Sequence, residues 1–111
     1  MNKRKGDTTN LEALDNFWRR SSFHDELIQE VSALNRRVII RLASITLIVT
    51  GAKDLKRCEL PALWLYESLV RHAGGFVLDV ETDTGHLKVS GTDVRLIRHS
   101  DMAVLIPPID N

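Results

Sequence analysis

Apolar and polar residues alternate along residues 37–42 and again along residues 45–49. This two-residue period is that of a β-strand with one face on the core. The two runs alternate in opposite phase, so one straight strand would send their apolar residues to opposite faces. A two-residue turn at Ala43-Ser44 brings both sets to one face and predicts a hairpin. Because Ala-Ser is weak turn chemistry, a continuous strand with a bulge is the alternative.

The hairpin determines which residues face each other across its two strands. On its apolar face the predicted pairs are Leu42 with Ile45, Ile40 with Leu47, and Val38 with Val49. Ile39 and Ile48 then pair on the opposite face, so apolar residues occur on both sides of the sheet. Either a helix covers the second face, with residues 11–18 as the candidate, or an apolar patch is left for a partner. Since isologous pairing is the commonest solution for such a patch, we expect a homodimer.

A second hairpin is predicted where "TDTG", residues 82–85, separates two alternating segments. Gly85 is free to adopt the positive φ that tight turns use. The predicted pairs are Glu81 with His86, Val80 with Leu87, Asp79 with Lys88, and Leu78 with Val89. Opposite charges meet on one face and apolar residues on the other, so both faces favour this register.

A third strand is predicted to follow this hairpin after a turn in residues 90–93, which gives a three-stranded meander. Residues 102–106 are predicted to form a further edge strand, and Pro107-Pro108 is expected to end the pairing because proline has no backbone N–H. The meander would align Val89 with Val94 and Leu87 with Leu96.

The N-terminal region contains a predicted helix over residues 10–20. Its apolar residues recur at spacings of three and four, and Thr9 or Asn10 can cap its first turn.

A second helix is predicted between the two β regions. Pro61 suits a first helical position, Gly74-Gly75 suits a helix end, and Leu65, Leu69 and Val70 fall on one helical face. The order helix, strands, helix, strands predicts an α+β domain with a largely antiparallel sheet.

Length and composition indicate one domain. The 111 residues are too few for a second core, and 43% hydrophobic residues suffice for the first. We expect residues 1–8 to be a flexible tail and residues 9–111 to form the domain.

The net charge is zero, so we expect no nucleic-acid partner, and the arginines at residues 36–41 are interpreted as solvated charge. Cys58 is the sole cysteine, and no signal or membrane-spanning segment is recognisable, so we expect a cytoplasmic protein without membrane contact.

Residues 22–34 fit two structures. As a helix, Ser22 caps the start, Asp25 takes the acidic position of a capping box, and the apolar residues from Leu27 onward share one face. As a strand, the segment turns at Asn35-Arg36 into the hairpin strand that follows. The strand would pair Val31 with Ile40, Ala33 with Val38, and Glu30 with Arg41. Periodicity alone slightly favours the helix.

Phe23-His24-Asp25 before an apolar stretch, the two-strand region, Trp64-Leu65-Tyr66-Glu67 and the final hairpins together resemble a group of small bacterial domains of uncharacterised function. The group includes families assigned as immunity proteins of polymorphic toxin systems, which bind and neutralise a partner protein. The resemblance covers roughly residues 17–98. It implies a strand rather than a helix for residues 27–34 and a protein partner, and it brings no catalytic residue.

His24-Asp25 is the one adjacent His–Asp pair of the sequence, which raises the alternative of a small metal-dependent hydrolase. That chemistry needs further converging ligands, and the other histidines do not follow the spacing of a ligand pair. We therefore interpret Asp25 as a cap for backbone amides and His24 as a hydrogen-bond partner of a neighbouring loop. No catalytic residue, metal ligand or cofactor site is predicted.

The favoured interpretation is a non-enzymatic domain that binds another protein. Trp64 and Tyr66 cannot both face inward on a helix, so one of them is expected near the surface. The candidate contact residues are Trp18, His24, Asp25, Ile39, Ile48, Trp64 and Tyr66.

Overall fold

One helix and nine antiparallel strands make up residues 10–20 and 23–106, the part of the chain that this computed structural model describes. The elements are α1 (Asn10–Arg20), β1 (Leu27–Leu34), β2 (Arg37–Leu42), β3 (Ile45–Thr50), β4 (Leu55–Lys56), β5 (Ala62–His72), β6 (Gly75–Thr82), β7 (Gly85–Gly91), β8 (Asp93–Arg98) and β9 (Val104–Ile106). The described residues are therefore mostly β. The predicted antiparallel sheet is confirmed, and the α+β class is not. The predicted tail, the capping role of Thr9 and the stop at Pro107-Pro108 lie outside the described residues.

The strands form one sheet in the order β4-β7-β6-β5-β1-β2-β3-β8-β9. This sheet bends over itself, because β7 and β3 contribute to the same core although four strands separate them in the sheet. At their closest approach Gly91 of β7 lies against Val49 of β3, and a Cβ at residue 91 would collide with the Val49 side chain. The inner surface of the bent sheet holds the hydrophobic core.

The hairpin at Ala43-Ser44 is confirmed in the predicted register. Val38 lies opposite Val49 and Ile40 opposite Leu47, and all four side chains are buried.

Residues 27–34 are strand β1, as the resemblance implied. All three predicted pairs with β2 are present, among them Val31 with Ile40. The turn between the strands uses φ values of 54° at Asn35 and 60° at Arg36. Two consecutive positive values are the signature of a type I′ turn, whose twist matches that of the flanking strands.

The hairpin at residues 82–85 is also confirmed, with Leu78 opposite Val89 and Val80 opposite Leu87. The predicted meander beyond it is wrong. Strand β8 pairs with β3 instead of β7, so that Val94 lies opposite Val49. At Gly91 the chain leaves one end of the sheet and joins the other, because the bend brings the two ends together. The predicted edge strand is β9, which pairs with β8.

The predicted second helix is wrong, since residues 62–72 form strand β5. Its pairing with β6 shifts by one residue between Trp64 and Tyr66, which is a β-bulge at Leu65. The extra residue moves the inward positions from Ala62 and Trp64 to residues 67 and 69. The inward residues 62, 64, 67 and 69 are therefore separated by two, three and two positions. A step of three is typical of a helix and a step of two of a strand, which explains why this segment was predicted as a helix.

The predicted helix over residues 10–20 is confirmed as α1, which packs on the core. Leu14 is fully buried, and Phe17 and Trp18 are partly buried against the core cluster. The Asn10 side chain donates hydrogen bonds to the Asp93 side chain and the Val94 carbonyl at the start of β8. The helix therefore lies along the inner surface of the sheet, beside β8 and β9.

Candidate functional site

The outward side of strands β2, β3 and β8 has an apolar centre. Ile39 lies opposite Ile48, as predicted, and both are partly exposed. Ile97 of β8 lies outward as well and is diagonal to Ile48, since its direct partner is Thr46. We refer to these three isoleucines with Arg37, Arg41 and Arg95 as the outer face.

The arginines of the outer face lie around its isoleucines. Arg95 is directly opposite Ile48 on the neighbouring strand. Arg41 forms an ion pair with Glu30 at 2.9 Å, whereas Arg37 and Arg95 have no acidic partner within residues 10–20 and 23–106. An apolar centre between cationic side chains is therefore open on this side of the sheet.

The predicted cover for this face is not provided by α1. The apolar residues of the helix pack against the buried core, on the other side of the sheet from Ile39 and Ile48. Within the described part of the chain, the outer face is thus the surface left over after the core has been completed.

His24 and Asp25 lie where β1 separates from β5. The His24 Nδ1 is 2.7 Å from the Leu65 carbonyl oxygen, and its Nε2 is 3.6 Å from the Asp25 carboxylate. Asp25 has a φ of 70°, and its backbone N–H donates to the Trp64 carbonyl at 2.7 Å. Through these hydrogen bonds the pair connects the segment before β1 to strand β5.

His24 does bond a backbone carbonyl, and that carbonyl belongs to strand β5 instead of the predicted loop. Among the residues that the structure describes, no group of three or more His, Cys, Asp or Glu side chains is placed to hold a metal ion.

An aromatic cluster lies beneath the His–Asp pair and joins α1 to β5. Phe23 meets Trp18 and Trp64 edge to face, with ring centroids 5.8 and 5.0 Å apart. The Trp64 Nε1 donates to the Glu67 carboxylate at 2.6 Å. The buried Nε1 of Trp18 has no hydrogen-bond partner in the described part of the chain. Edge-to-face packing accounts for the positions of both tryptophans.

The predicted contact residues thus fall into three places. Trp18 and Trp64 belong to the aromatic cluster, and Trp64 is fully buried. Tyr66 is 64% exposed and lies beside His24, with ring centroids 5.6 Å apart. Ile39 and Ile48 lie on the outer face, apart from the others. Of the two candidate aromatics on β5, Tyr66 is the surface residue.

Sequence reasoning missed Arg95 and Ile97 as members of the outer face. Their alternation with Val94 and Leu96 is visible in the sequence. The assignment of β8 to the wrong neighbour placed them away from Ile39 and Ile48.

The one clear shift of a carboxyl pKa among the described residues lies at the β8–β9 turn. Hydrogen bonds from the Arg98 guanidinium and the Ala103 N–H lower the pKa of Asp101 to about 2. This exposed carboxylate joins two residues of the turn, Arg98 and Ala103.

Helix α1, the single helix of the described residues, is not long and apolar enough to cross a membrane. Comparison with family models, curated proteins and solved structures finds no match to this chain.

Proposed function

We propose that this chain is a non-enzymatic domain that binds another protein through its outer face, in the manner of an immunity protein that neutralises its partner. The observation that carries the proposal is the row of Ile39, Ile48 and Ile97 on the side of the sheet that α1 leaves uncovered. Apolar residues at the centre and polar residues at the rim are typical of protein interfaces.

Charge indicates the chemistry of the partner. Arg37 and Arg95 form no ion pair with any of the described residues, and arginine is enriched at interface hot spots. The expected partner surface has an apolar centre with carboxylates around it. Such a partner would meet the isoleucines and pair with both arginines at once.

The test is neutralisation of the protein encoded by the adjacent open reading frame. Cells that express that protein are expected to grow when this chain is present. Growth is expected to be lost with Ile48→Lys, because the new charge would be buried without a partner at the centre of the interface.

Met102→Lys is the matched control, since Met102 is an exposed apolar residue (67%) on the β8–β9 turn and outside the outer face. Both variants must retain the circular dichroism spectrum of the wild type. Equal protection by Ile48→Lys and Met102→Lys would overturn the assignment of the outer face. Failure of the wild-type chain to bind or protect against this protein would overturn the proposed function.

A further inference from the structure

Strand β5 is paired on both sides at only one of its ends. Near its start, Ala62 and Leu63 pair with β1, and Trp64 and Leu65 bond to the segment before β1. From residue 66 to residue 72 the pairing continues with β6 alone. No other strand of the described chain lies on the second side, so this edge of the sheet is open.

The direction of the free peptide groups follows from the hairpin register. His72 lies opposite Gly75 across the two-residue turn, and in an antiparallel ladder every second residue directs its N–H and C=O to the same neighbour. Counted from this turn, Glu67, Leu69 and Arg71 direct theirs away from β6. A strand can add to these three residues.

The edge of β5 differs from the two ends of the sheet. The outermost strands β4 and β9 have only 2 and 3 residues, and short edge strands are a common protection against pairing with other chains. The open part of β5 is longer and carries exposed Val70 (58%) and Tyr66. Natural proteins seldom leave such an edge without a partner.

The sequence of this edge is complementary to itself. If two copies meet antiparallel with Leu69 on the two-fold axis, Glu67 of each copy lies opposite Arg71 of the other. The free peptide groups of residues 67, 69 and 71 then pair with one another through about six backbone hydrogen bonds. On the other side of the ladder, Tyr66 faces the partner's His72. A shift of the axis by one residue in either direction loses the Glu–Arg pairs.

We infer that the chain forms a homodimer in which the open edges of β5 pair antiparallel about Leu69 and make one continuous sheet. The sequence alone places the dimer contact at Ile39 and Ile48, and the geometry points instead to β5. The outer face remains free for a different protein, so this inference does not depend on the proposed function.

The surroundings of β5 suit this arrangement. Residues 67 and 69 line a groove of about 390 Å³ whose other wall is Asp15, Trp18 and Arg19 of α1. Arg71 forms ion pairs with Asp15 at 3.5 Å and with Glu12 at 3.8 Å, and it would also meet Glu67 of the second copy. Side chains of the second copy would enter this groove from the open edge.

The experiment uses charge reversal to make two chains that can pair only with each other. In its own dimer Arg71→Glu creates two pairs of facing carboxylates, and Glu67→Arg creates two pairs of facing guanidinium groups. Each variant alone is therefore expected to be monomeric. In the mixture both cross-strand pairs join one carboxylate to one guanidinium group, so a heterodimer is expected. Light scattering at micromolar concentration should give 12.6 kDa for each variant and twice that mass for the wild type and the mixture.

A second pair of variants covers the case in which the first does not fold, since Glu67 and Arg71 also have partners within the chain. Residues 68 and 70 face each other in the proposed register, and both are exposed. Ser68→Lys with Val70→Lys in one chain, and Ser68→Glu with Val70→Glu in the other, should again associate only when mixed.

Ile48→Lys is the control for the outer face and is expected to remain dimeric. A monomeric wild type would overturn the inference. A dimer that dissociates with Ile48→Lys, and persists in both reversed β5 chains, would place the contact on the outer face instead. Variants that dimerise alone would exclude the Leu69 axis.

Discussion

The two halves of strand β5 have opposite roles although a single bulge separates them. Ala62 and Trp64, before the bulge, are buried and have neighbouring chain segments on both sides. Tyr66 and Val70, beyond it, are exposed, and among the described residues that half is paired with β6 alone. Beyond the extra residue the inward positions, Glu67 and Leu69, are only partly buried, and the pairing with β6 continues.

His24 and Asp25 lie between these two halves. The Asp25 N–H bonds the Trp64 carbonyl, and the His24 ring bonds the Leu65 carbonyl. Among the described residues these are the last hydrogen bonds on the side of β5 that faces β1. A structural role for the pair would be to hold β5 at this boundary, and His24→Ala tests it.

Trp64→Ala is expected to have the largest effect, because it removes the central side chain of the buried half. We expect a loss of about 3–5 kcal/mol in the free energy of unfolding, measured by urea denaturation. Trp64→Phe, which keeps an aromatic ring and loses the bond to Glu67, should cost clearly less. If both substitutions lowered the free energy of unfolding by less than about 1 kcal/mol, the first half of β5 would not belong to the hydrophobic core.

His24→Ala tests the boundary between the halves. Loss of its hydrogen bond to the Leu65 carbonyl should lower the free energy of unfolding by about 1 kcal/mol. His72→Ala is the matched control at the far end of the same strand. The His72 ring bonds the carbonyl of the adjacent Ala73, so its removal should cost less.

A panel of hydrolase substrates, tested on the same proteins, distinguishes the structural role of His24 from the hydrolase alternative. Unchanged stability of His24→Ala together with loss of a phosphoesterase activity would show that the pair is catalytic.

Tyr66→Ser is expected to have the smallest effect. Its side chain is 64% exposed, so the free energy of unfolding should change by no more than about 0.5 kcal/mol. A loss comparable to that of Trp64→Phe would remove the distinction between the two halves. Thermal unfolding measured at low protein concentration avoids any contribution from association.

Local alternation was sufficient to predict the hairpins. In β2 and β3 the buried residues Val38, Ile40, Leu47 and Val49 repeat every second position, and a turn of two residues leaves a single register that buries all of them. The same reasoning predicted the pairing of β6 with β7. The predicted place of Ile39 and Ile48 on the opposite face followed directly from it.

The alternation failed where the structure depends on distant residues. The bulge at Leu65 broke the two-residue period, and the apolar residues that remained fitted a helix. The position of β8 depends on the bend of the sheet, and a strand's own sequence shows which of its faces is buried but not which strand lies beside it. The open edge of β5 could not be recognised for the same reason, since it exists only because β1 diverges from that strand.

The pairing of β3 with β8 has a consequence for the order in which the chain folds. Strands β1 to β3 and strands β5 to β7 are each joined by short turns, so both units can form from neighbouring residues. The β3–β8 ladder instead joins Thr50 to Asp93, which are 43 residues apart, so its formation costs more chain entropy than that of the hairpins. We expect the ladder to form after the main kinetic barrier, so that Leu96→Ala speeds unfolding in stopped-flow measurements and leaves the refolding rate nearly unchanged. The last strands of the chain would then be the first to detach when the protein opens.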